Sequence, residues 1–202
     1  MLIGAFLGTE SPLTVTQMLW VNLIMDTFAA MALASLPPSM EVMQQKPRKR
    51  EDFIVTKPMW EGILGLGLLF TAVLVGLVVL FQHCTFGPAG QESILQFAWA
   101  DAPHELTIYQ KSVFFTLFVM LQYWNMFNAK AFYTKHSALR GLGSSKGFLL
   151  VMVLILVGQV FIVSLGGQMF SVTPLSLIDW LLIIGISSLV FFGGELKRLI
   201  TK

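Results

Sequence analysis

Five apolar runs, each long enough to carry a helix across a bilayer, restrict this chain to one class of fold. They cover residues 15–36, 59–81, 109–131, 148–165 and 175–192, and a spanning helix needs ~17 to 25 residues. In hydrocarbon every backbone N–H and C=O must be paired within the protein, and a helix does that within each segment. The expectation is therefore an all-α, polytopic membrane helix bundle. Composition agrees, since 55% of the 202 residues are hydrophobic and only 12% are charged, against about 25% charged in a soluble domain. A single cysteine excludes a disulfide framework within the chain. The opening MLIGAFLG lacks the basic region of a signal peptide.

Residues 1–8 read as the end of a preceding transmembrane helix. Gly8 suits a C-terminal cap, and Ser11-Pro12 suits an N-cap followed by proline at the first helical position. A chain that opens inside a helix is expected to be part of a longer one.

Lysine and arginine assign the sides. The connection 37–58 holds Lys46, Arg48, Lys49, Arg50 and Lys57, whereas 82–108 holds Glu92, Asp101 and Glu105 and no basic residue. The next connection, 132–147, holds Lys135, Arg140 and Lys146. The one after 148–165 is uncharged, and the tail 193–202 opens on Gly193-Gly194, expected to end the last span, and holds Lys197, Arg198 and Lys202. Basic connections lie on the cytoplasmic side, so 37–58 and 132–147 are expected to be cytoplasmic loops, 82–108 an exofacial loop, and the C-terminus cytoplasmic. Trp60, Tyr109 and Trp180 fall near span ends, where amphipathic rings prefer to lie.

The first span, QMLWVNLIMDTFAAMAL, places Asp26 in an apolar run, where a charge costs roughly 2.5 to 3.5 kcal/mol even on insertion scales. Counting from Met18 puts Asp26 ~12 Å deep, close to mid-membrane. Asn22 lies one turn earlier on the same face. Two readings stand: a cation site, or a polar pair joining two helices. In the third span Gln122 reaches a similar depth, with Asn125 and Asn128 following it, and there too helix association and ion lining both remain open. Asn22, Asp26 and Gln122 offer hard oxygen ligands suited to calcium or magnesium. Calcium takes 6 to 8 oxygens, so these helices would supply part of a site. The thioether of Met25 is a poor calcium ligand. His83, His104 and His136 are scattered without metal-ligand spacing, and Cys84 has no partner. Gly62, Gly65 and Gly67 lie inside a span and read as places for close helix approach rather than a phosphate loop. No catalytic residue, nucleotide site or nucleic-acid partner is expected in the chain itself.

At QMLWVNLIMDT the chain resembles the sixth transmembrane helix of P-type calcium-transporting ATPases, closest to the plasma-membrane-type branch. PPSMEVMQQKPRKREDFIV is similar to that family's following connection, and FVMLQYWNMFNA to its eighth helix. The resemblance runs from the end of the fifth helix through the tenth. It implies part of a pump that moves calcium out of the cytoplasm through an aspartyl-phosphate cycle, in the plasma membrane or a bacterial inner membrane. ATP and magnesium would act only in the full-length protein, and the partners would be the bilayer and that pump's missing helices and cytoplasmic domains. Asn22 and Asp26 would be calcium ligands. Met25 stands where sarcoplasmic-reticulum-type pumps have a ligating Thr, and Gln122 where they have a ligating Glu, so one ion per cycle is implied. The phosphorylation motif DKTGT is not in the chain, which alone is expected to be inactive. Thr27 stands where those pumps have Gly, so local unwinding of the first span is not expected. A P-type pump for another cation, and a free-standing five-span structural or channel protein, are the alternatives.

Overall fold

The computed structural model describes residues 11–37, 55–132 and 136–200, apart from the side chains of Ile24, Met25 and Pro58. The expectations for residues 1–8, for the basic run around Lys46–Arg50, for Lys135 and for Lys202 lie outside the described residues, as does any for the Met25 side chain.

Five long helices make up the described bundle: α1 (Val15–Ala34), α2 (Lys57–Gln82), α3 (Ile108–Lys130), α4 (Lys146–Leu165) and α5 (Leu177–Ile200). Four of them are long and apolar enough to cross a membrane. The fifth, α3, has the length, at 23 residues, but carries Gln110, Gln122, Asn125 and Asn128. Its polarity is accommodated by its position. Most of α3 is buried, α5 lies along it, and α2 and α4 also pack on it. The result is an all-α membrane helix bundle with its most polar long helix at the centre.

Reciprocal caps set where α1 and α3 begin. Thr14 Oγ1 accepts from the Gln17 N–H at 3.3 Å, and Gln17 Oε1 accepts from the Thr14 N–H at 3.0 Å. Each satisfies a backbone donor that the first turn leaves unpaired. Helix α1 therefore starts after Thr14 and not at Ser11-Pro12, where the Ser11 hydroxyl donates to Leu13 O instead. Thr107 and Gln110 repeat the device at the head of α3. The Gln110 amide also donates to Phe81 O and Cys84 O, at 3.0 and 2.8 Å, joining the end of α2 to the start of α3.

Between α2 and α3 the chain forms a small hairpin, with β1 (Cys84–Thr85) antiparallel to β2 (Ala98–Trp99). Asp179, in the first turn of α5, holds this connection. Its Oδ1 accepts from Ser93 Oγ and the Ile94 N–H, both at 2.9 Å, while Oδ2 accepts from Ser176 Oγ at 2.8 Å. The carboxylate is fully buried, and its charge is met by hydrogen bonds on both oxygens.

Several glycines and aromatics differ from the sequence reading. Gly193 and Gly194 do not end α5, which continues to Ile200. Gly194 is needed for close approach, since a Cβ there would overlap the Asn128 amide. Gly62 faces Phe132 closely, but Gly65 and Gly67 meet nothing within 4 Å among the described residues. Tyr109 and Trp180 are buried in the bundle, and of the three expected interfacial rings only Trp60 is exposed.

Candidate cation site

The residues from Val21 to Phe28 form eight residues of π-helix inside α1, flanked by α-helical Val15–Trp20 and Ala29–Ala34. Both Asn22 and Asp26 lie in this stretch, and both side chains are exposed. This corrects the expectation of a regular helix. π turns are rare and occur frequently at functional sites. A π turn pairs each N–H with the carbonyl five residues back rather than four.

Neither glycine nor proline occurs between Val21 and Phe28, so local sequence does not explain the wide turns. Contacts with α4 flank them. At one end the Trp20 indole donates to Gln159 Oε1 at 3.2 Å and lies so close to Gly158 that a Cβ there would be 2.7 Å from the ring. At the other end Ser35 lies against Gly147, where a Cβ would be 2.9 Å from its hydroxyl. Gln17 fixes the entry further, donating through Nε2 to Phe170 O at 2.9 Å in the short helical turn Gly167–Phe170 beyond α4.

The polar stripe on α3 divides by role. Asn128 is buried and committed to α5: its Nδ2 donates to Val190 O at 2.9 Å, and its Oδ1 accepts from Arg198 Nη2 at 2.9 Å. Arg198 also pairs with Glu195 at 2.8 Å, and Glu195 accepts from the Ala138 N–H. Gln122, Asn125 and Asn128 all line a cavity of about 600 Å³ between α2 and α3, walled by Gly62, Phe70 and Phe132. The Asn125 Oδ1 is buried there without a hydrogen-bond partner among the described residues. This cavity reaches α1 at Ala29, one turn beyond Asp26. The structure thus keeps Asn22 and Asp26 in one stretch of α1 and puts Gln122 and Asn125 on one cavity, but does not bring the two pairs into one cavity among the described residues. No three His, Cys, Asp or Glu side chains converge among those residues either.

Sequence reading missed Gln159 and Asp179. Gln159 is a fully buried amide in an apolar helix, and Asp179 is a carboxylate at the start of one. The rule that singled out Asp26, a polar group in an apolar run, would have found both. Their bonding shows them to be structural, so a lone carboxylate in such a run is not enough to mark an ion path.

A family model described as cation transporting ATPase, C-terminus, matches residues 10–200. The chain is 35% identical over 196 residues to human plasma membrane calcium-transporting ATPase 3, covering 93% of this chain and 15% of that protein. It is 30% identical over 191 residues to the Caenorhabditis elegans plasma membrane calcium-transporting ATPase mca-1, covering 94% and 15%. With the Dictyostelium discoideum calcium-transporting ATPase PAT1 it shares 32% over 192 residues, covering 93% and 16%. The chain thus spans about 15% of the length of the relatives named here. With a match over nearly all of its residues, the chain belongs to the C-terminal membrane family of cation-transporting ATPases.

Proposed function

We propose that this chain is the C-terminal membrane part of a P-type ATPase that exports calcium from the cytoplasm, and that Asn22 and Asp26 supply part of its intramembrane cation site. The observation that carries the reading is the π stretch of Val21–Phe28, which encloses both residues in mid-helix. A carboxylate and a carboxamide oxygen are hard ligands of the kind calcium prefers. The remaining oxygens come from other helices of the full-length pump. On the α3 side Gln122 and Asn125 give the approach a polar lining.

All five long helices cross the membrane in this reading, α3 included. Basic residues near the α1–α2 and α3–α4 connections put those on the cytoplasmic side, so the α2–α3 connection is exofacial and the C-terminus cytoplasmic. The membrane is the plasma membrane or a bacterial inner membrane. ATP and magnesium act on domains outside this chain, and the chain alone is inactive.

The test is transport by the full-length protein in sealed inside-out vesicles with ATP. Uptake of radioactive calcium, with phosphoenzyme formed only when calcium is present, supports the reading. Phosphorylation driven by another cation and not by calcium would assign the chain to a different pump, and absence of any phosphoenzyme would remove it from this chemistry.

A further inference from the structure

The α2–α3 connection carries an exposed apolar edge that the ion site does not use. Leu95 is 65% exposed, Phe97 43% and Trp99 69%. The Phe97 and Trp99 rings pack edge to face at 5.2 Å, and Phe97 leans on Phe86 behind it. The edge is therefore a built surface of rigid aromatics on a hairpin.

Its depth follows from two separate counts. In α5 the first charged residue at the far end is Glu195. From there back to Leu177 is ~27 Å of helix, short of the ~30 Å hydrocarbon core. Asp179 thus lies several ångströms inside the core, and its bonds to Ser93 and Ile94 bring the neighbouring Leu95 to that level. In α2 the last charge is Glu61, and the helix from Gly62 to Gln82 rises ~30 Å. Its end is at the core boundary, and Trp99, paired with Cys84 just beyond, lies at headgroup level. Leu177 and Ile178 of α5, 76% and 50% exposed, continue the apolar surface into the core.

We propose that Leu95, Phe97 and Trp99 form an interfacial membrane anchor, seated in the lipid headgroup and upper acyl region of the leaflet where α5 begins. An indole keeps its apolar body in lipid and its N–H among polar headgroups, which is why tryptophan collects at that boundary. The lipid partner is zwitterionic, because the connection holds Glu92, Asp101 and Glu105 and no lysine or arginine between Gln82 and Gln110. The anchor and the Asp179 bonds together hold the ends of α2, α3 and α5 at one depth.

Spin-label depth measurements on the full-length protein in phosphatidylcholine vesicles test this. Nitroxides are attached at Leu95→Cys and Trp99→Cys, with Cys84 and other native cysteines replaced. Gln91→Cys, at the exposed turn, gives the water reference, and Leu181→Cys, 61% exposed on α5, the lipid reference. The expected result is severalfold fewer collisions with a water-soluble nickel complex at 95 and 99 than at 91, and oxygen collisions approaching those at 181. Both positions are exposed, so either variant alone is informative should the other fail to fold. Collision rates equal to those at 91 would overturn the anchor. Protection from nickel and oxygen alike would also overturn it, by showing that protein covers the edge.

Discussion

Trp20 and Gln159 join α1 to α4 one residue before the π stretch begins, through an indole N–H donated to a fully buried amide oxygen at 3.2 Å. This bond and the Gly158 contact hold the entry of the segment that carries Asn22 and Asp26. A hydrogen bond between membrane helices averages only ~0.6 kcal/mol, so Gln159→Leu should leave the protein folded. With the entry released, the calcium concentration needed for half-maximal ATPase activity should rise severalfold while maximal rate changes little. Gly158→Leu, which forces the ring away, should raise it more. Unchanged calcium dependence in both variants would show that the clamp does not shape the site.

Asp179 is the contrasting carboxylate. Asp179→Asn keeps its volume but turns an amide donor toward one of two sets of donors, either Ser93 and Ile94 or Ser176. An unsatisfied buried polar group costs roughly 1–3 kcal/mol. Thermal unfolding of the full-length variant should start at lower temperature, with calcium affinity unaffected. A loss of calcium dependence without loss of stability would make Asp179 part of the transport path.

Cys84 lies in the proposed exofacial connection but is fully buried. Burial pushes its thiol up from the ordinary value, and the thiolate is the reactive form. A membrane-impermeant thiol reagent should therefore label it slowly in intact cells, with a rate that climbs only at more alkaline pH than for a free thiol. Gln91→Cys, exposed in the same connection, should label quickly from outside. Labelling of Gln91→Cys only after permeabilisation would reverse the orientation of the bundle.

Ligand chemistry sets the stoichiometry. Calcium affinity depends on ligand charge and number, and a thioether at Met25 with a neutral amide at Gln122 supplies neither well. The cavity around Gln122 does not include Asp26, which separates that amide from the site. One calcium should be bound or moved per phosphorylation event in the full-length pump. A measured ratio of two would mean that a second site is made from other ligands.

That the chain is a bundle of membrane helices was legible because length and apolarity decide it without tertiary detail. What sequence could not give was set by contacts distant along the chain. The π stretch has no glycine or proline to announce it and lies between contacts at Gly158 and Gly147, well over a hundred residues further on. Gly193-Gly194 looked like a helix end because glycine weakens a helix interior by roughly 0.5–1 kcal/mol. The Asn128 amide fills the space that a Gly194 side chain would take, and the helix runs on. The three α3 amides line one cavity, yet among the described residues only Asn128 is shown bonded to α5. Which partner each amide meets depends on helix placement.

If Asp26 is a calcium ligand, its charge cannot be replaced within α1, and Asp26→Asn in the full-length protein removes that charge alone. The change keeps volume and hydrogen-bonding capacity and removes the charge, and the side chain is exposed on the π stretch, so folding should survive. Phosphorylation from ATP is measured across calcium concentrations, alongside expression and thermal stability. The account predicts normal stability with calcium-dependent phosphorylation lost, or moved to calcium levels at least tenfold higher, about 1.4 kcal/mol or more of binding free energy. Normal stability with calcium dependence and transport unchanged would contradict it, and would leave Asp26 as a polar contact between helices.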